Sequence, residues 1–134
     1  MGIRGPKHVL EKEQTKSRIA ERADVTKEWR ENISEAVFTK QVIDLARWNN
    51  WRCAHFRPAM TKRGRWVTAV SGDGAGFPDL IMLRENRRIM AELKAAKGTL
   101  TGKQLEWLQA AKLADIEAYI WRPKDIDQIE RILR

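Results

Sequence analysis

Two carboxylates and an ammonium stand at the ends of two apolar runs. Asp79 opens the run Leu80 to Leu83. Glu92 and Lys94 close a second run that begins at Ile89, and the polar stretch Arg84 to Arg88 lies between them. Charges in such surroundings are costly to desolvate unless something compensates them. Two oxygen-donor side chains close together suit Mg²⁺ or Mn²⁺. A lysine beside them can stabilise a nucleophile or a developing phosphate charge. The same three residues would also serve as a plain ion pair at a strand end.

The elements that must position them read as a β-hairpin, two strand-like runs joined by a short charged turn. Side chains alternate faces along a strand. Asp79, Ile81 and Leu83 therefore share one face, and so do Met90, Glu92 and Lys94. A two-residue turn at Glu85 and Asn86 puts Asp79 across from Glu92. A four-residue turn puts it across from Lys94, and a three-residue turn breaks the arrangement by a one-residue slip. Asn86 tolerates positive φ and suits a tight turn.

The motif Pro78-Asp79 followed by Glu92-Leu93-Lys94 resembles the PD-(D/E)XK nuclease superfamily. Its neighbourhood is similar to the VRR-NUC branch, and to small stand-alone, phage-type members in particular. That likeness rests on Gly76-Phe77-Pro78-Asp79-Leu80, Ala91-Glu92-Leu93-Lys94, Gly98-Thr99-Leu100-Thr101 with Gln104, and Tyr119-Ile120-Trp121-Arg122-Pro123. It runs from about Ile33 to the C-terminus. The resemblance implies an α/β fold: a restriction-endonuclease-like core of order αβββαβ, with a mixed central sheet flanked by helices. It also implies a Mg²⁺- or Mn²⁺-dependent endodeoxyribonuclease. Asp79, Glu92 and the backbone carbonyl of Leu93 would hold the metal, with Lys94 acting on the attacking water. Glu35 matches a first-helix glutamate that joins the metal site. Gln104 matches a glutamine that helps set the active site. The implied substrate is branched DNA, a Holliday junction or a flap, in phage recombination, repair or processing. A symmetric dimer would supply two cleavage sites. A non-catalytic nucleic-acid-binding module and a sequence-specific restriction enzyme are the competing readings.

Composition agrees with a polyanionic partner. The 134 residues carry a formal charge of +8, and such a balance favours nucleic acid. One cysteine, Cys53, excludes an intramolecular disulfide, and with only His8 and His55 a Cys/His zinc site is disfavoured. No run reaches transmembrane length and no signal peptide is visible. The expectation is a soluble cytoplasmic protein, in the bacterial host cytoplasm if phage-encoded, with no membrane partner.

Along the chain, residues 1–30 read as a charged N-terminal arm or flexible segment, with a helix of thin apolar face over Val9 to Ala23. Residues 31–134 form the domain. A first helix is expected over 32–49, with Phe38, Val42 and Leu45 as its buried stripe, widened by Ile33, Val37 and Ala46. Glu35 can point toward the sheet, or it can close an N-x-x-E capping box with Asn32. Trp51 to Arg57 reads as the first strand. His55 on it can reach the cleft or serve structurally. Pro58 to Gly76 reads as a long irregular segment, with Trp66 and Val67 a short strand. Its cations Lys62, Arg63 and Arg65, with Arg57 before it, are expected to grip phosphate while an aromatic stacks on a base. Lys97 and Lys103 are further phosphate contacts.

Thr101 and Gln104 form a T-x-x-Q capping box that opens the next helix. Its sides are Leu105, Leu108 and Lys112, and Trp107, Ala111 and Ala114. Glu117 to Trp121 is the last strand, and Asp125 with Gln128 opens a short final helix. Trp48, Trp51, Trp107 and Trp121 are expected to pack.

Overall fold

The computed structural model of the protein describes residues 26–134 except 57, 58, 68 and 69. The helix expected over Val9 to Ala23 lies outside the described residues, and so does Arg57. A helical segment over 26–32 leads in, and its Trp29 packs against the core.

The elements that follow are α1 (Glu35–Trp48), β1 (Arg52–His55), β2 (Ala59–Met60), β3 (Trp66–Val67), β4 (Leu80–Arg84), β5 (Arg87–Leu93), α2 (Gly102–Leu113), β6 (Glu117–Trp121) and α3 (Ile126–Leu133). The main sheet has the order β1-β4-β5-β6. The β1–β4 and β4–β5 pairs are antiparallel, and β5–β6 is parallel. A parallel neighbour needs a crossover, which α2 supplies. The chain is thus an α/β protein with a mixed sheet. Among the described residues no helix is long and apolar enough to cross a membrane.

The hairpin β4–β5 has the two-residue turn at Glu85 and Asn86: Leu80 pairs with Ala91 and Arg84 with Arg87. The left-handed residue is Glu85, at φ 55, rather than Asn86. This register sorts the two faces. Leu80, Met82, Ile89, Ala91 and Leu93 are fully buried with Phe38 and Val42 of α1 and Ile129 and Leu133 of α3. The opposite face, with Met90, Glu92 and Lys94, looks toward α2, whose Leu108 and Ala111 pack with Ala118 and Met90. An apolar face and a charged face on one hairpin follow from the alternation alone.

Several local expectations are corrected. Ser34, not Asn32, caps α1, its hydroxyl accepting from the Val37 N–H at 3.2 Å. Asn32 instead donates its side-chain amide to the Glu28 carbonyl. The Asn32–Glu35 capping box is not formed, which leaves Glu35 in the first turn without that duty. Val37 is exposed rather than part of the stripe. The segment after β1 is not irregular throughout, because Ala59–Met60 pairs with Trp66–Val67 in a separate two-stranded sheet. On α2 the buried residues are Leu108 and Ala111; Leu105, Lys112 and Ala114 face solvent. Trp48 is 85% exposed, because it falls about three turns after the exposed Val37, on the side of α1 away from Phe38, Val42 and Ala46.

The far end of the sheet is locked to the C-terminus. Trp51 donates its indole N–H to the Leu133 carbonyl at 2.9 Å, under the guanidinium groups of Arg84 and Arg87 at 4.5 and 4.9 Å from its ring centre. Arg84 also donates to the carbonyls of Asn49, Leu133 and Arg134.

Candidate active site

At the other end of the hairpin the strands bring Asp79 and Glu92 together. The Asp79 carboxylate accepts the Leu93 backbone N–H at 2.9 Å, which fixes it across the top of β5. The Asp79 carbonyl accepts from the Phe56 N–H at 2.9 Å and ties β1 to the same point. Glu92 is only 2% exposed. Its Oε1 accepts from the Gln104 side-chain amide at 2.7 Å and lies 3.6 Å from the Lys94 ammonium. Its Oε2 is buried with no hydrogen-bond partner among the described residues.

Gln104 serves both roles that its position allowed. Its Oε1 accepts the Thr101 N–H at 2.9 Å, closing the capping box, while its Nε2 reaches Glu92. The first turn of α2 therefore carries a site donor and a helix cap on one side chain. Gly76 makes this approach feasible. At φ +78, a Cβ there would stand 2.5 Å from the Lys103 carbonyl carbon and 2.6 Å from the Gln104 nitrogen.

These groups line an open cleft of about 620 Å³ with Glu35, Phe56, Val67, Val70 and the glycine-rich segment from Gly72 to Phe77. An aromatic row braces its wall: Phe77 meets Phe56 edge-on at 5.1 Å and Trp107 at 4.9 Å. Trp107 also donates its indole N–H to the Asp73 carbonyl at 2.9 Å. Sequence reading assigned Trp107 to core packing and gave Phe77 no role of its own. The aromatic at i+1 from a glycine that must lie against a helix was the available signal.

The electrostatics are unbalanced. Burial, and then the negative charge of Asp79, push the Glu92 carboxyl up to about 8, against the relief that Lys94 gives. Burial also raises the Glu35 carboxyl; Lys94 opposes the shift and Asp79 adds to it. A buried oxygen with no donor, beside a second carboxylate, is the arrangement that a divalent cation satisfies. Asp79 and Glu92 fit Mg²⁺ or Mn²⁺ on that ground. Glu35 lines the same cleft, near enough for its carboxyl to feel the charges of Lys94 and Asp79.

The other expected site residues lie elsewhere. Just past the end of β1 the cleft is walled by Phe56, and His55 is not in its lining. Alternation explains this, since His55 shares its face with Cys53, which packs on the core. Lys62, Arg63 and Arg65 are exposed on the β2–β3 turn, outside the cleft lining, while Val67 of that hairpin is in it. Lys97 is exposed and outside the lining as well. Lys103 is exposed, 3.5 Å from Glu106, and lines a neighbouring hollow with Trp107. No protein-family model, curated protein or solved structure matches the chain.

Proposed function

We propose that this chain is a metal-dependent DNA endonuclease that hydrolyses phosphodiester bonds, with its centre at Asp79, Glu92 and Lys94. The observation that carries the reading is the Oε2 of Glu92, buried beside the Asp79 carboxylate with no hydrogen-bond donor among the described residues. Structural ion pairs are normally completed by their own partners; this pair is left short of positive charge on the side of an open cleft. The resemblance of the hairpin motif to the PD-(D/E)XK nucleases, and of its surroundings to the VRR-NUC branch, points the same way. The order α1, β1, β4, β5, α2, β6 is compatible with a restriction-endonuclease-like core.

Asp79 and Glu92 would hold Mg²⁺ or Mn²⁺, with the Leu93 carbonyl as a third oxygen and Glu35 at the rim. The bound ion supplies Lewis-acid polarisation of the phosphate and a more acidic water. The chain's own residues do the rest. The Leu93 N–H orients Asp79, and Gln104 orients Glu92 through Oε1, leaving Oε2 without a donor among the described residues. Lys94, its side chain only 13% exposed at the same strand end, offers its ammonium to the water or to the charge that develops on phosphate oxygen. The aromatic row keeps the cleft wall rigid while a strand is in place.

Branched DNA, a four-way junction or a flap, is the substrate proposed. The test is cleavage of end-labelled junction, flap, linear duplex and single strand with Mg²⁺, Mn²⁺ or EDTA. Wild type is expected to cut in metal only. Asp79→Asn is expected to bind DNA yet not cut, because it keeps an acceptor for Leu93 N–H while removing the charge. Metal-independent cutting, or full activity in Asp79→Asn, would sink the reading. Tight binding with no cutting on any substrate favours the binding module instead.

A further inference from the structure

A second concavity, of about 580 Å³, lies beside the segment that follows Lys94. It is lined by Lys27, Arg30, Arg122 and Lys124, with Ala96 in its wall and Glu31 as the acid. We infer that this pocket is a subsite for a nucleic-acid phosphate other than the one being cleaved; the inference rests on the nuclease reading of the cleft.

Three features favour a phosphate. Four cations line the pocket against Glu31 in the lining and Asp127 on Arg30, a surplus of positive charge that an anion relieves. Arg122 is held in place: its guanidinium donates to the Ala95 carbonyl at 2.8 Å and to Ala96 at 3.4 Å, and its backbone N–H donates to Asp125 at 2.9 Å. A fixed guanidinium loses little freedom on binding and matches phosphate geometry. Arg30 reaches Asp127 at 3.3 Å through one nitrogen, while its Nε is buried with no partner among the described residues.

The pocket is also in the right place. The Lys94 N–H donates to the Trp121 carbonyl at 3.0 Å, so Lys94 and Arg122 leave the parallel pair β5–β6 at the same end. Ala96 follows Lys94 by two residues and enters the pocket wall. The subsite is for a neighbouring or terminal phosphate of a strand whose reacting phosphate lies at Lys94, at this same end of the sheet. The two sources share one chemistry.

Lys27 and Lys124 are exposed and belong to neither the cleft nor the core, so Lys27→Ala/Lys124→Ala is expected to melt like wild type. The control is Lys40→Ala/Lys112→Ala, which removes the same charge from exposed sites on α1 and α2. Binding of short labelled single strands, 5′-phosphorylated or 5′-hydroxyl, is measured by anisotropy in EDTA across a salt series. The pocket variant is expected to weaken binding about 10-fold and to flatten the salt dependence by about one to two counterions, the control much less. A loss confined to the 5′-phosphorylated strand assigns the pocket to a terminal phosphate. An equal loss on both assigns it to an internal one. Wild-type affinity and slope in the pocket variant, or an equal loss in the control, overturns the subsite. Cleavage run alongside separates the two claims. Loss of binding in a protein that never cuts leaves the subsite standing and removes the nuclease. Normal cutting with unchanged binding does the reverse.

Discussion

Glu92→Gln is expected to abolish metal-dependent cleavage and to stabilise the metal-free protein at alkaline pH. Removing a metal-holding carboxylate costs at least about 10³-fold in rate, in line with the loss of other groups that act as a unit. The stability gain follows from the buried charge. The Glu92 carboxyl ionises near 4.5 when unperturbed, whereas burial and Asp79 hold it up to about 8 in the fold. The folded state thus binds this proton more tightly than the unfolded state does. Its contribution is fully present below about pH 4.5, declines as pH rises, and is gone once pH passes about 8. Glutamine removes that decline. It still offers an oxygen to Gln104 and can donate toward Asp79. Melting of the metal-free variant at about pH 9 should exceed wild type by roughly 5–10 °C, with little difference at about pH 5. A variant that melts below wild type at high pH would show that Glu92 is satisfied in the fold, and the metal argument would fall with it.

Gly76→Ala is expected to damage the site from outside it. The new Cβ meets backbone atoms of Lys103 and Gln104 within 2.6 Å, and φ +78 is strained for alanine. Backbone cannot swing aside as a side-chain tip can, so the first turn of α2 must shift. The strain and lost packing together cost roughly 2–4 kcal/mol. The Gln104 amide moves with its helix and releases Glu92, and catalysis is expected to fall about 10²-fold or more, since small misplacement of a positioned group is costly. Gly64→Ala is the control: it has the same φ of +78 but nothing within 4 Å of the added methyl. Thermal melts and cleavage rates of the two variants separate strain from collision. Equal behaviour would mean that the close approach at Gly76 is unimportant.

The hairpin was legible because alternation is rigid: once Glu85 and Asn86 make the turn, the faces of Asp79 and Glu92 follow. The T-x-x-Q pattern was legible for a similar reason, since a cap fixes where a helix begins. Gln104 reaching Glu92 needed the depth at which α2 lies on the sheet, and Gly76 sets that depth across a gap in sequence. Glu35 shows the opposite limit. Asn32 and Ser34 are both competent caps, and only the end of the preceding helix at 26–32 decides between them. Trp48 shows that an aromatic in a periodic helix need not pack, because its spacing puts it with Val37 on the solvent face of α1. The basic segment looked like a loop beside the site, but a two-residue ladder lifts Lys62, Arg63 and Arg65 away from the cleft lining while keeping Val67 in it. The basic pocket escaped notice because its residues come from the two ends of the described chain and meet only through tertiary packing.

The contacts that hold the carboxylates and those that lock the C-terminus differ in sequence reach. Asp79 to Leu93 spans 14 residues within the hairpin, whereas Gln104 to Glu92, 12 apart, closes only when α2 lies on the sheet. Arg84 to Leu133 spans 49, and Trp51 to Leu133 spans 82. Short closures cost less chain entropy and tend to form first. The two acids are then neighbours while still hydrated, and the penalty on Glu92 arrives only when α2 docks and seals it. In kinetic terms the proton-linked cost falls after the folding barrier. Raising pH from about 5 to 9 should speed unfolding of the metal-free chain and leave its refolding rate nearly constant. Stopped-flow chevrons would show this, and a refolding limb that slows with pH would place the burial of Glu92 before the barrier instead.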